Sequence, residues 1–168
     1  MNKIIAICAA QIYLWEQERQ IHAICDCARD RGYEVMIYNL SVKMDVETSH
    51  SRGELSVFSV IPYDQLAALV VLGESIRNDV VSDDLVAKAH KNNVPVVMLD
   101  RYTKGCYNIE FDYEESFEQI VRHVIEYHGC HEVNFMAGFR ENNFSEQRLD
   151  TYRRVMKENG CTVKEEYI

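Results

Sequence analysis

Lys3 to Asn39, KIIAICAAQIYLWEQERQIHAICDCARDRGYEVMIYN, decides the fold. Its first seven residues are an almost unbroken apolar run, the pattern of a strand covered on both faces in a parallel sheet rather than one with a wet side. Between about Leu14 and Arg31 the period changes. Leu14, Ile21, Ile24 and Ala28 recur at helical spacing, while Glu16, Glu18, Arg19, Arg29 and Asp30 fill the opposite face. Gly32 supplies a helix stop, and Tyr33 to Asn39 reads as a second strand.

The alternation continues outward from there. Ser41 to Arg52 is polar and loop-like, and a short helix over Glu54 to Ile61 is closed by Pro62. Ala67 to Leu72 reads as a third strand and Gly73-Glu74-Ser75 as the turn after it. A helix over Asp83 to Asn92 precedes Pro95, then come a strand over Val96 to Leu99, ending on Asp100-Arg101, and a short strand around Tyr107 to Phe111. A helix over Glu114 to His128, a strand over Glu132 to Met136 and a helix from Ser145, its N-cap, to Asn159 complete the order. Strands and helices in this order predict an α/β chain with a doubly wound parallel sheet. Ligands of such sheets bind beyond the carboxyl ends of the strands, which directs attention to the loops starting at Ala10, Gly73, Asp100 and Ala137.

Composition narrows the function. With 168 residues, of which 47% are hydrophobic, the chain buries a real core. Its formal charge of -9 opposes broad contact with phosphate backbones, and no DNA-reading module is visible in these residues. The opening MNKIIAICAAQIYLW has one Lys, a short apolar run and no convincing cleavage site, so a buried strand describes it better than a signal peptide. No apolar run reaches membrane-spanning length, and a cytoplasmic protein is expected. The six cysteines, Cys8, Cys25, Cys27, Cys106, Cys130 and Cys161, are expected to be free thiols.

Enzymatic readings lack their residues. The turn AAQIYLW after the first strand has no glycine, which argues against dinucleotide and P-loop phosphate sites, and it has no paired carboxylates for a phosphoacceptor. Cys25 and Cys27 point about 200° apart on a helix, and no second pair completes a zinc set. His123 and His128, with Cys130 and His131 nearby, are five apart rather than at the i, i+4 spacing that suits a shared zinc. No cofactor, metal or catalytic residue is expected.

The loops suit binding better. Gln11, Tyr13 and Trp15 offer an amide and aromatic faces, the equipment of a mostly apolar cleft for a polar ring, although Trp15 equally fits as packing for the first helix. Glu74 lies in the turn after the third strand. Asp100 sits at a strand's carboxyl end, though adjacent Asp100 and Arg101 also suit an ordinary surface pair.

The stretch VVMLDRYTKGCYNIEFDYEESFEQIVRHVIEYHGCHEVNFMAGFRENNFSEQRLDTYRRVMKENG, Val96 to Gly160, resembles the effector-binding domain of the LacI/GalR regulators. The strand ending in Asp, the crossover to a helix, and the later Ser145, Arg148 and Tyr152 carry the likeness, while Thr151 stands where the family has Gly. The resemblance implies a two-lobed, type I periplasmic-binding-protein-like fold with lobe one over residues 1–111 and the beginning of lobe two over 112–168. It implies that the cleft is incomplete after Ile168 and that the chain is part of a longer protein. It carries ligand contact to Asp100 and Arg148, and structural roles to His123 and Asp112. A guanidinium at Arg148 holds paired hydroxyls or a carboxylate with a fork of donors. The expected function is small-molecule sensing by lobe closure in a homodimeric, non-enzymatic regulator, at a site comprising Gln11, Trp15, Glu74, Asp100 and Arg148. The alternative is a ligand-independent dimerisation module. The run IEYHGCHEVNFMAGFRENNFSEQRLDTYR looks closer to sensors fused to GGDEF diguanylate cyclases, with the output domain outside these residues.

Overall fold

The computed structural model describes residues 3–42, 49–138, 143–165 and 168. The chain divides into two compact units, Met1–Glu110 and Phe111–Ile168.

The first unit is built around β1 (Ile4–Ala10), from which Ala6 to Ala10 are wholly excluded from solvent. Side chains alternate along a strand, so burial of consecutive residues requires cover on both faces. Ile7 and Ala9 pack with Ile21 and Ile24 of α1 (Trp15–Asp30). Ala6, Cys8 and Ala10 face the other way, toward Leu85, Val86 and Ala89 of α4 (Asp79–Lys91) and toward Phe58 and Ile61. Between α1 and α4 lie β2 (Glu34–Leu40), α2 (Ser49–Glu54), two 3₁₀ turns (Leu55–Val60 and Tyr63–Gln65), β3 (Leu66–Leu72) and the one-turn α3 (Gly73–Ile76). β4 (Val96–Leu99) and β5 (Tyr107–Ile109) follow α4, giving a parallel sheet in the order β2-β1-β3-β4-β5.

The elements start and stop for local reasons. At the end of α1 the Gly32 amide donates to Arg29 O and the Tyr33 amide to Ala28 O, a reverse turn that needs the left-handed φ of 74° at Gly32. Asn93, at φ 56°, makes the same closure after α4. Asn78 caps the start of α4, its Oδ1 accepting from the Val81 amide at 3.0 Å.

Three expectations for this unit change. The helix expected over Glu54–Ile61 is a 3₁₀ turn over Leu55–Val60 behind α2, and part of the expected 41–52 loop lies outside the described residues. The turn at Gly73-Glu74-Ser75 is helical, because Gly73 lets the chain approach Arg101: a Cβ there meets Arg101 Cβ at 2.9 Å. The helix expected to begin at Asp83 begins at Asp79, after its Asn78 cap.

The second unit pairs α5 (Tyr113–Arg122) with α6 (Asn143–Glu158) over a core of Val121, Ile125, Tyr152, Val155 and Met156. Asp112 caps α5, its Oδ1 accepting from the Glu115 amide at 3.1 Å. The helix expected to run to His128 changes at His123 into a single π turn, His123–Tyr127. α6 starts at Asn143, so Ser145 lies in its first turn and is not the cap. The strand expected over Glu132–Met136 is not formed: the described part of this unit offers no second strand, and a ladder needs one. Instead Val133 and Phe135 pack into the core, and the Val133 carbonyl accepts from Tyr152 Oη at 2.6 Å.

Arginines bind α5 to α6 across their surface. Arg154 pairs with Glu114 and Glu118, and Arg122 with Glu118, Glu126 and Glu158. Hydrogen bonds from Arg154 and then Arg122 hold the Glu118 carboxyl down at about 2. A carboxyl whose pKa falls on folding contributes stability above its ordinary value of 4.5 and loses it as the pH drops toward 2. Acid unfolding followed by circular dichroism is therefore expected to show a component between those values that E118Q removes. In the first unit, Ile7→Ala is expected to cost about 2–5 kcal/mol in urea unfolding, because the cavity opens in the sheet's centre.

Candidate functional site

The strand order fixes where a crevice forms. The chain passes from β1 to β2 on one side and then returns to β3 on the other, so connections leave β1 and β3 in opposite directions. Ligands of open α/β sheets bind at such a reversal, outside the carboxyl ends of the strands. Ala10-Gln11 ends β1, Gly73 to Ser75 follow β3, and Asp100 ends β4.

Gln11 turns the chain out of the sheet in left-handed backbone, φ 53°, its amide donating to Leu40 O at 2.7 Å and its carbonyl accepting from the Leu14 amide at 2.9 Å. Asn39 Oδ1 then accepts from the Ile12 amide at 3.2 Å, and Tyr13 Oη donates to Ser41 O at 3.2 Å. Trp15, at the head of α1, is 67% exposed, so it is not core packing; the Arg19 guanidinium lies 4.8 Å from its ring centre.

Ser75 ties two strand ends together. Its buried hydroxyl donates to Leu72 O at 2.8 Å and accepts from the Ala10 amide at 3.0 Å, beyond the last β1–β3 rung. Glu74 beside it is half-buried.

Asp100 is the second left-handed corner, φ 56°, with its amide donating to Ile109 O at 2.9 Å. Such backbone costs a non-glycine residue of order 1–3 kcal/mol and gathers at functional sites. Gln20 Nε2 donates to Asp100 Oδ2 at 3.4 Å, and Oδ1 is buried without a hydrogen-bond partner among the described residues. Burial pushes the carboxyl above its ordinary value, Gln20 opposes the rise, and Glu16 and Glu110 add to it. Arg101 does not pair with Asp100; it turns away to Asp79 at 3.4 Å and Asp83 at 2.9 Å on α4.

Arg148 belongs to the second unit. It is exposed on α6 and lines a groove of about 470 Å³ with Tyr113, Phe117, Ile120, Phe135 and Ser145. A larger groove, about 990 Å³, runs along Asn134 to Gly138 past Ser145, Glu146 and Arg153 to Glu165. Of the loop starting at Ala137, expected to carry ligand contacts, Gly138 borders both, and residues 139–142 lie outside the described residues.

The expected residues Gln11, Trp15, Glu74 and Asp100 thus stand at strand ends and helix starts of one unit, and Arg148 in a groove of the other. Two neighbours of importance were missed. Gln20 lies one turn beyond Glu16 on the same face of α1, a spacing that offered the signal. Ser75 had no sequence signal, since its role depends on where β1 and β3 end.

His123 and His128 come together after all, because a π turn rather than an α turn separates them. Their rings meet edge to face, 4.8 Å between centres, with Tyr127 stacked on His123. No group of three or more ligating side chains suited to a metal occurs among the described residues. His123, expected to anchor the helix, is exposed within this ring cluster. All six cysteines are free, and burial raises the Cys8 thiol well above its ordinary value. Among the described residues no helix is long and apolar enough to cross a membrane.

Several solved structures share this fold. A protein described as a ribose operon repressor from Burkholderia thailandensis matches at TM-score 0.74 and 18% identity, over all of this chain and 60% of its own. The lac repressor dimer bound to operator and an anti-inducer matches at 0.68 and 18%, over 96% of this chain and 53% of its own. This chain has the LacI-type effector-domain fold. A transporter solute-binding protein from Clostridium phytofermentans with bound β-D-glucose matches at 0.67 and 15%, over 99% of this chain and 54% of its own, so the type I periplasmic-binding-protein-like architecture is common to all three. The chain spans between about half and three fifths of the length of these structures. No family model and no curated protein matches it.

Ser75→Ala strips Ala10 N–H and Leu72 C=O of their buried partner at the centre of the crevice. The expected loss is about 1–3 kcal/mol in urea unfolding, with faster hydrogen exchange at the Ala10 amide.

Proposed function

We propose that this chain is the ligand-sensing part of a non-enzymatic bacterial regulator, and that a small polar molecule such as a sugar binds at the carboxyl ends of β1, β3 and β4. The observation that carries the proposal is Asp100, held at a strained corner at the end of β4, one strand beyond the reversal between β1 and β3, with one carboxylate oxygen unmatched. An under-donated buried acceptor favours a ligand that brings hydrogen-bond donors. Gln11, the exposed ring of Trp15 and Glu74 complete the lobe-one side, with residues 1–111 as lobe one. Residues 112–168 begin lobe two, and Arg148 supplies its forked donor to the ligand. Ligand that contacts both lobes stabilises the closed arrangement over the open one and passes that difference to an attached output module, DNA-binding or diguanylate cyclase. The regulators of this fold support a cytoplasmic location.

A second reading, a homodimer, is favoured by Val60 and Val80, exposed at 68% and 79% on elements that cover the same sheet face. In that case Val80→Asp lowers the molecular mass measured by light scattering and leaves ligand binding intact.

The main reading is tested by titrating D-ribose, D-glucose and sucrose into the chain while following amide resonances. A sugar that binds is expected to move the signals of Gln11, Trp15 and Asp100. Asp100→Asn keeps a residue that tolerates left-handed backbone, and Arg148→Gln removes the guanidinium; each is expected to weaken binding about tenfold or more. Sugar binding that survives both substitutions unchanged sinks the assignment of the site.

A further inference from the structure

Asp100 is a half-buried charge in left-handed backbone, and its surroundings are mostly acidic. Glu16, one turn before Gln20 on α1, and Glu110, just after β5, both act on it through space. The nearest cation in sequence, Arg101, is spent on Asp79 and Asp83 of α4. The amide of Gln20, half-buried on the inward side of α1, is the donor that reaches this carboxylate.

We infer that Gln20 is a positioning residue of the ligand site, its side-chain amide fixing Asp100 by Oδ2 so that the carboxylate is presented as an acceptor to ligand. The inference rests on the ligand reading of Asp100 given above. Three observations support it independently of any ligand. The donor comes from an element eighty residues away in sequence, so the contact is tertiary and not a by-product of local turn geometry. The corner it steadies is left-handed backbone, a conformation that persists in a non-glycine residue only where the surrounding structure holds it. The amide also acts in the sense the site needs: burial, Glu16 and Glu110 favour the neutral acid, and the hydrogen bond from Gln20 favours the carboxylate.

The sign of the effect follows. Ligand donors need the ionised carboxylate, so binding weakens as the pH falls through the Asp100 titration. Without the Gln20 donor that titration moves to higher pH, and the weakening begins at higher pH with it.

The test uses the 168-residue chain and carboxyl ¹³C resonances. In Gln20→Leu, which keeps the volume and loses the donor, the Asp100 midpoint is expected above that of the unsubstituted chain. In Glu16→Gln, which removes a like charge, it is expected below. D-glucose affinity is then expected to fall about three- to tenfold in Gln20→Leu, the size of one lost hydrogen bond, and to fall further at pH 5 than at pH 8. An Asp100 midpoint that Gln20→Leu leaves in place overturns the inference even if glucose binds as expected. Failure of the unsubstituted chain to bind glucose, with the midpoints shifted as stated, overturns instead the ligand reading on which the positioning role depends. Glu16→Gln keeps the electrostatic account falsifiable should Gln20→Leu not fold.

Discussion

Burial of β1 on both faces is the constraint from which the first unit follows. Five consecutive residues without solvent contact leave no wet side, so apolar cover is required above and below the sheet. α1 supplies one layer, and α4 with the 3₁₀ turns supplies the other. A parallel neighbour on each side requires long return connections, and placing them on opposite faces forces the chain to reverse direction across β1. The crevice at the strand ends is the geometric remainder of that reversal.

What fills the crevice is main chain whose polar groups had to be satisfied without a ladder. Ser75, Asn39 and the turn at Gln11 each supply a partner that the sheet cannot. With the backbone accounted for, the residual chemistry is carried by side chains: an acid with an unmatched oxygen, an amide that reaches it, and an exposed indole.

The first unit was largely legible in the sequence because its signals are local. Apolar runs of strand length, the helical spacing of Ile21, Ile24 and Ala28, and Gly32 after the helix each act within a few residues. The second unit was less so. Glu132 to Met136 has the composition of a strand, but strand formation is a property of two segments, and only one is present among the described residues. The same reasoning explains the site. The positions of Gln11, Glu74 and Asp100 after strand ends were legible in the order of apolar runs, whereas Ser75 and the Gln20 contact depend on distances that arise only after the layers have packed. The contact between His123 and His128 was not legible for a narrower reason, since residues five apart meet where the chain makes a π turn and not where it keeps α geometry.

That π turn has a meaning of its own. It is the last turn of this helix: the His128 amide donates to His123 O at 3.3 Å and the Cys130 amide to Val124 O at 3.3 Å, and Gly129, at φ 65°, takes the chain out of the spiral. Val121 and Ile125, before and within the turn, both pack into the core, so the apolar face of the helix carries on into its wider last turn. The wide last turn is thus the exit from which the chain brings Val133 and Phe135 to Tyr152, whose hydroxyl donates to the Val133 carbonyl and whose ring stacks on Phe135.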